Sequence, residues 1–155
     1  MRMKRIRDLS VMLLEDEFLI ALDAEHILDS LGVKDVQVVN TLAKATVVAQ
    51  TGNVDVAILD LNINGEMSFG VADILLERRI PIVFASGYEL RGRIDAEMEE
   101  TVVHLRKPYT GETLKAALEE ALSKAEAALE DEALAANQAA AAPQPAGPAE
   151  IATQL

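Results

Sequence analysis

Four short polar segments, each following an apolar run, hold the side chains that could carry out chemistry. They are Glu15-Asp16, Asp60, Ser86-Gly87 and Lys107-Pro108. Carboxylates that converge repel one another unless a cation neutralises them. Mg²⁺ suits such a group because it prefers oxygen ligands and binds one or two carboxylates together with a phosphoryl oxygen. With Asp60 as the nucleophile, and Lys107 and Ser86 beside it, the set could accept a phosphoryl group.

The apolar runs between these segments predict the elements that must bring the side chains together. Five short runs, each long enough for a strand, lie at 11–14, 36–39, 54–59, 81–85 and 101–105. Helical patterns separate them, and strict alternation of strand and helix is typical of α/β proteins. We therefore predict a flavodoxin-like (βα)5 fold, with a doubly wound five-stranded parallel sheet in the order 2-1-3-4-5.

This strand order makes the first and third strands neighbours, about 4.8 Å apart. Because ligand sites in such sheets lie at the carboxyl ends of the strands, Asp16 and Asp60 should share one small space. Glu15 would act on a metal ion through water. Zinc prefers nitrogen and sulfur ligands, so this set of carboxylates fits Mg²⁺ better.

Capping residues indicate where several helices begin and end. Gly32 suits the end of a helix that starts near Phe18, and Thr41 and Thr110 suit the starts of two others. The connection at 88–100 has weak helical periodicity, so its helix should be short or frayed. The last helix should run from Gly111 to Leu129 and extend beyond the sheet, where it could contribute to a dimer or partner contact.

Composition excludes several classes of protein. The chain has 155 residues, a formal charge of −12 and no cysteine, so disulfides and thiolate metal sites are excluded. Strong negative charge repels nucleic acid and anionic lipid. We find neither a signal peptide nor an apolar stretch long enough for a membrane span, and expect a cytoplasmic protein. Residues 1–8 form a basic N-terminal arm, and the Ala- and Pro-rich acidic segment 131–155 should be a largely disordered tail.

The four polar segments, in this order and each at a strand end, resemble the receiver domain of two-component response regulators over about residues 9–125, and we assign 9–130 to the receiver domain. The resemblance implies that Asp60 accepts a phosphoryl group from a sensor histidine kinase or a histidine phosphotransfer protein. It also implies that Asp16 and Asp60 bind Mg²⁺ together with the backbone carbonyl of Asn62. Such a protein is not an enzyme in the usual sense, although slow self-dephosphorylation is expected.

The segment from Val83 to Tyr88 is similar to the stand-alone receivers of alphaproteobacteria, whose signature reads Phe-Ala-Thr-Gly-Tyr. Ser86 replaces the threonine of that signature. His104 stands where many receivers carry a Tyr or Phe that swings inward on activation, so His104 and Tyr88 are candidate switch residues. We also predict a downstream protein partner, contacted by the face that comprises segment 88–100, the fifth strand and the last helix, and expect the chain to be a monomer or weak homodimer.

Two other interpretations remain open. The chain could be a receiver-like docking module or a phosphate sink without phosphorylation-dependent output, or an unrelated small hydrolase on the same fold. Nucleotide hydrolysis is not supported, because the glycines at 65 and 70 lack the Lys-Ser/Thr of a P-loop. Taken singly, each polar segment is a common cap, turn or strand terminator, and His104 is more often an ordinary sheet residue.

Overall fold

A computed structural model describes residues 4–87, 90, 92–141, 143 and 147 of the chain. Its strands are β1 (Ser10–Leu14), β2 (Asp35–Val39), β3 (Val56–Asp60), β4 (Asn62–Ile63), β5 (Glu66–Met67), β6 (Ile82–Ser86) and β7 (Val103–Arg106). Its helices are α1 (Phe18–Ser30), α2 (Leu42–Thr51), α3 (Phe69–Glu77), α4 (Ala96–Thr101) and α5 (Gly111–Ala140). None of these helices combines the length and apolar character that crossing a membrane requires.

Five of the strands form one sheet in the order β2-β1-β3-β6-β7, and every pairing in it is parallel. Because β6 and β7 are the predicted fourth and fifth strands, this is the predicted order 2-1-3-4-5. The three central strands carry almost continuous runs of buried residues, as expected for a parallel sheet covered on both faces. The flavodoxin-like α/β fold is therefore confirmed.

Two hydrophobic clusters lie on opposite faces of the sheet. Helices α2, α3 and α4 cover one face, where Phe84 is fully buried and meets the Phe69 ring edge-on at 6.2 Å. Helices α1 and α5 cover the other face, where Leu114 and Leu118 pack against the strands. Both faces are sealed chiefly by aliphatic side chains, since the chain has only five aromatic residues.

Local signals set the ends of the helices as the sequence predicts. Thr41 accepts a hydrogen bond from Lys44 N at 3.2 Å, and Thr110 forms a reciprocal capping box with Thr113. Gly32, with φ of 89°, follows α1 in a left-handed conformation. Helix α4 has only six residues, which confirms that the fourth helix is short.

A short β-hairpin between β3 and α3, with a two-residue turn, was not predicted. Strands β4 and β5 pair antiparallel across Asn64 and Gly65, whose φ values are 53° and 88°. Positive φ at both central residues defines a type I′ turn, for which Asn-Gly is the preferred sequence. The signal was therefore present, but the flanking strands are too short for an alternating pattern to reveal them.

The two ends of the chain differ from the prediction. Residues 131–140 continue α5, so the helix extends beyond its predicted end at Leu129; Ala, Leu and Glu favour helix, and the next proline after Pro108 comes only at Pro143. The disorder expected of the rest of the tail stays a prediction. This outer part is exposed, with Leu129 at 43% and Leu134 at 58% exposure. In the basic arm, Ile6–Asp8 form a 3₁₀ helix, and Lys4 pairs with Asp55 at 2.8 Å. Residues 1–3, 142, 144–146 and 148–155 lie outside the described residues.

The two halves of α5 should therefore differ in their contribution to stability. We expect Leu118→Ala to lower the free energy of unfolding by about 2–5 kcal/mol, because Leu118 is fully buried. Leu134→Ala should change it by less than about 0.5 kcal/mol, because that side chain is exposed. Urea unfolding of both variants checks this, and a large loss in Leu134→Ala would show that the outer helix packs on something in solution.

Candidate functional site

The carboxyl ends of β1 and β3 bring three carboxylates together. Glu15 and Asp16 follow β1 directly, Asp60 is the last residue of β3, and the paired strands place Leu14 opposite Leu59. One oxygen from each of the three carboxylates lies within 4.8 Å of the other two. Glu15 is buried, whereas Asp16 and Asp60 are partly exposed. The predicted meeting of Asp16 and Asp60 at this edge is confirmed.

Lys107 provides the positive charge in this cluster. Its Nζ lies 2.8 Å from Glu15 Oε2 and 3.2 Å from Asp60 Oδ2, so one ammonium group donates to both carboxylates. The backbone brings it there, since Lys107 follows β7 and donates its N–H to the Ser86 carbonyl at 2.9 Å. The Lys107-Pro108 peptide bond is cis. Lys107 therefore lies where the sequence predicts, at the end of the fifth strand of the sheet.

The ion pair affects its two members differently. Burial raises the pKa of Glu15, the neighbouring charge of Asp60 adds to this, and the hydrogen bond from Lys107 only partly opposes it. Burial by itself would lower the pKa of Lys107, but the hydrogen bond to Glu15 and the charges of both carboxylates outweigh it, so that pKa is raised. Lys107 thus remains charged, whereas burial disfavours the charged form of Glu15.

The β4–β5 hairpin holds the third carboxylate. The backbone N–H of Asn64 donates to Asp16 Oδ2 at 2.9 Å. Within the turn, Gly65 N–H donates to the side-chain Oδ1 of Asn62 at 2.9 Å. The Asn62 side chain is thus engaged inside the hairpin, and the metal role expected of its backbone carbonyl stays a prediction.

Ser68 was missed by the sequence analysis. It is fully buried, and its Oγ donates to the backbone carbonyl of Asp60 at 2.5 Å. Its own N–H donates to the Leu61 carbonyl at 2.9 Å. A serine just before a helix is ordinarily interpreted as a cap, so no signal in the sequence distinguishes this role from capping.

Ser86 ends β6, the strand beside Asp60, where Asp60 pairs with Ala85. It is buried, with 2% exposure, and its carbonyl holds the Lys107 backbone. This places Ser86 at the predicted edge of the sheet. Its role as a contact for a phosphoryl group stays a prediction.

Of the two candidate switch residues, one lines a separate groove and the other lies outside the described residues. His104 is exposed on β7, opposite Phe84, and lines a groove with Leu90, Ile94 and Val102. Lys124 of α5 borders the same groove. Tyr88 lies outside the described residues, so the switching roles of both remain predictions.

The donor set of the cluster decides which cation it fits. Glu15, Asp16 and Asp60 are the one group of three potential metal-ligating side chains among the described residues, and all offer carboxylate oxygens. Oxygen-only donors suit a hard dication such as Mg²⁺ rather than zinc. The residues therefore fit the predicted ion by the chemistry of their ligand atoms.

Solved structures similar to the chain show its family. SdrG from Sphingomonas melonis Fr1 is 37% identical, with a TM-score of 0.63 over 75% of this chain and 97% of SdrG. A response regulator receiver protein from Sinorhizobium medicae WSM419 is 25% identical, with a TM-score of 0.65 over 76% of this chain and 96% of that one. The chain belongs to the response-regulator receiver family. As a receiver, it carries its carboxylate cluster at the edge of the sheet where the resemblance places it.

A third receiver shares the fold at lower identity. The receiver domain of the sensor histidine kinase PA1611 from Pseudomonas aeruginosa PAO1 is 22% identical, with a TM-score of 0.64 over 74% of this chain and 98% of that one. That structure has a magnesium ion coordinated in its active-site cleft. No protein-family model and no curated protein matches the sequence.

The burial of Glu15 generates a prediction about stability. A carboxyl group whose folded-state pKa lies above its unfolded value destabilises the fold progressively as the pH rises between the two. Glu15→Gln should therefore be more stable than the wild type at pH 7, with a difference that shrinks as the pH falls through the raised folded-state pKa and vanishes below the unfolded-state pKa. Lys107 keeps Asp60 as its partner in this variant.

Urea unfolding over a pH series checks this expectation. Glu17→Gln is the matched control, because it removes the same charge from an exposed neighbour. Equal stability of Glu15→Gln and the wild type at pH 7, or the same gain in both variants, would show that the buried Glu15 carboxylate does not destabilise the fold.

Proposed function

We propose that this receiver accepts a phosphoryl group on Asp60 from the phosphohistidine of a sensor histidine kinase or a histidine phosphotransfer protein. It would then signal through contact with a downstream protein. The observation that carries the proposal is Lys107 Nζ, 3.2 Å from Asp60 Oδ2 inside a cluster of three carboxylates. A partly exposed carboxylate beside a fixed cation is suited to nucleophilic attack on an anionic group, because the cation offsets the incoming charge.

In the transfer, the phosphorus–nitrogen bond of the donor breaks and a bond forms between phosphorus and a carboxylate oxygen of Asp60. Asp16 and Asp60 would hold Mg²⁺, with Glu15 acting through water, and the bound ion would offset charge on the phosphoryl oxygens. Lys107 is already shared between Glu15 and Asp60, so it can follow the new negative charge without a large movement. Ser86, at the neighbouring strand end, would donate its hydroxyl to a phosphoryl oxygen.

The signal would leave through the face formed by α4, β7 and α5. Helix α4 buries only Met98, so few apolar contacts hold it to the sheet. The groove beside it contains the exposed His104 and joins all three elements. A phosphoryl group that draws Ser86 inward would act on the chain leading to this face, and the response would be a shift between two packings.

Phosphorylation at Asp60 is tested by incubation with acetyl phosphate and Mg²⁺. We expect one phosphoryl group by mass in the wild type and none above background in Asp60→Asn, because the amide lacks the nucleophilic oxygen. Asp73→Asn is the matched control, since Asp73 is an exposed aspartate on α3. Chelation of Mg²⁺ should reduce labelling at least tenfold. Labelling of Asp60→Asn at the wild-type level would overturn the proposal.

A protein donor is supported by an apolar patch beside the carboxylates. Phe18 and Leu19 are each 76% exposed in the first turn of α1, two and three residues after Asp16, and Leu22 is 37% exposed. Contiguous exposed apolar side chains mark sites of protein contact. We infer that the histidine-bearing protein docks on this patch.

Replacing the patch should separate docking from chemistry. We expect Phe18→Ser combined with Leu19→Ser to slow phosphotransfer at least tenfold from a kinase that phosphorylates the wild type. Labelling by acetyl phosphate should be unchanged, since that small donor needs no docking surface. Val47→Ser is the control, because Val47 is 60% exposed on α2. Unaltered transfer from the kinase to the double variant would place the docking surface elsewhere.

A further inference from the structure

We propose that Ser68 is a positioning residue that, through the β4–β5 hairpin, holds Asp16 and Asp60 in the arrangement that receives the cation. The inference rests on the proposed function, because it concerns the same metal site. Ser68 touches neither the cation nor the phosphoryl group in this assignment. It acts through the backbone of Asp60 and through the hairpin that precedes it.

The hydrogen bonds of Ser68 are unusual for its place in the fold. It precedes α3 at the N-cap position, where a serine oxygen ordinarily accepts from a backbone N–H in the first turn. No such bond forms, and Oγ instead donates to the Asp60 carbonyl at 2.5 Å. The side chain is fully buried, where a hydroxyl is costly unless it is hydrogen-bonded. The hydroxyl therefore anchors the main chain of the phosphoacceptor rather than the helix.

The hairpin extends this anchor to the second carboxylate. Ser68 N–H donates to the Leu61 carbonyl at 2.9 Å, which closes the base of the hairpin. At its tip, Asn64 N–H donates to Asp16 Oδ2 at 2.9 Å. The turn between them is short and has two residues with positive φ, so a shift at the base of the hairpin also moves its tip. One backbone unit thus contacts the main chain of Asp60 at its base and the side chain of Asp16 at its tip.

Ser68 and the β4–β5 hairpin together form a hydrogen-bonded frame that leaves one oxygen of each of these two carboxylates for a cation. Lys107 engages Oδ2 of Asp60, and Asn64 engages Oδ2 of Asp16. Within the described residues, the side-chain hydrogen bonds of these two carboxylates use only Oδ2, so Oδ1 of each remains to bind a metal ion. Protein donors therefore orient both carboxylates before a cation arrives, and this is what pre-organisation requires.

The test is the dissociation constant of Mg²⁺, measured from backbone amide shifts without any phosphoryl donor. We expect Ser68→Ala to bind Mg²⁺ about three- to tenfold more weakly, in line with the net contribution of one hydrogen bond. The Asn64 amide should shift on Mg²⁺ binding in the wild type and shift less in the variant. Leu75→Ala, a fully buried change farther along α3, controls for loss of stability and should keep wild-type affinity.

The outcomes separate the two proposals. Absence of Mg²⁺ binding in the wild type would overturn both. Wild-type affinity in Ser68→Ala, or equal weakening in Leu75→Ala, would overturn the positioning role alone. If Ser68→Ala does not fold, Gly65→Ala tests the same frame, because φ of 88° strains an alanine there while its Cβ meets no atom within 4 Å. Unchanged Mg²⁺ affinity in Gly65→Ala would then overturn the positioning role.

Discussion

Repulsion among three carboxylates at one edge of the sheet is the constraint on which the rest of the site depends. At an effective dielectric of about 20, two unit charges about 5 Å apart repel by roughly 3 kcal/mol. Glu15, Asp16 and Asp60 approach within 4.8 Å, so the fold must supply opposing interactions. Lys107 does so from one side and the Asn64 amide from the other. The stored repulsion is also what makes the cluster receptive to a cation.

The fold tolerates the repulsion among the carboxylates because its hydrophobic core lies elsewhere. Both faces of the sheet bury continuous aliphatic clusters, and the polar cluster occupies only the carboxyl ends of the strands. Two of the loops at those ends are hydrogen-bonded to each other, because the Asn64 N–H donates to Asp16 Oδ2. The Ser68 hydroxyl and the Lys107 backbone each connect a loop to the end of a strand. The site is thus held at its base by hydrogen bonds, while apolar side chains at the start of α1 are exposed.

Much of the fold and the site could be predicted from the sequence because both depend on local patterns. Five apolar runs alternating with helical periodicity define the parallel sheet, and the rule that its ligand site lies at the carboxyl ends then groups Glu15, Asp16, Asp60 and Lys107. Elements without a sufficient local pattern were missed. The hairpin strands have two residues each, and the outer part of α5 has the composition of a tail although alanine favours helix.

The sequence by itself determined which chemical groups are present and at which strand ends they lie, since strand ends and residue types are both local properties. Only the tertiary structure decided how those groups are shared. Lys107 bridges two carboxylates and Asn64 holds Asp16, and both contacts join segments that are distant in the chain. The Ser68 hydroxyl could cap α3 or bond to Asp60, and in the folded chain it bonds to Asp60. Their physical reason is burial and hydrogen-bond satisfaction in three dimensions, which no linear pattern specifies.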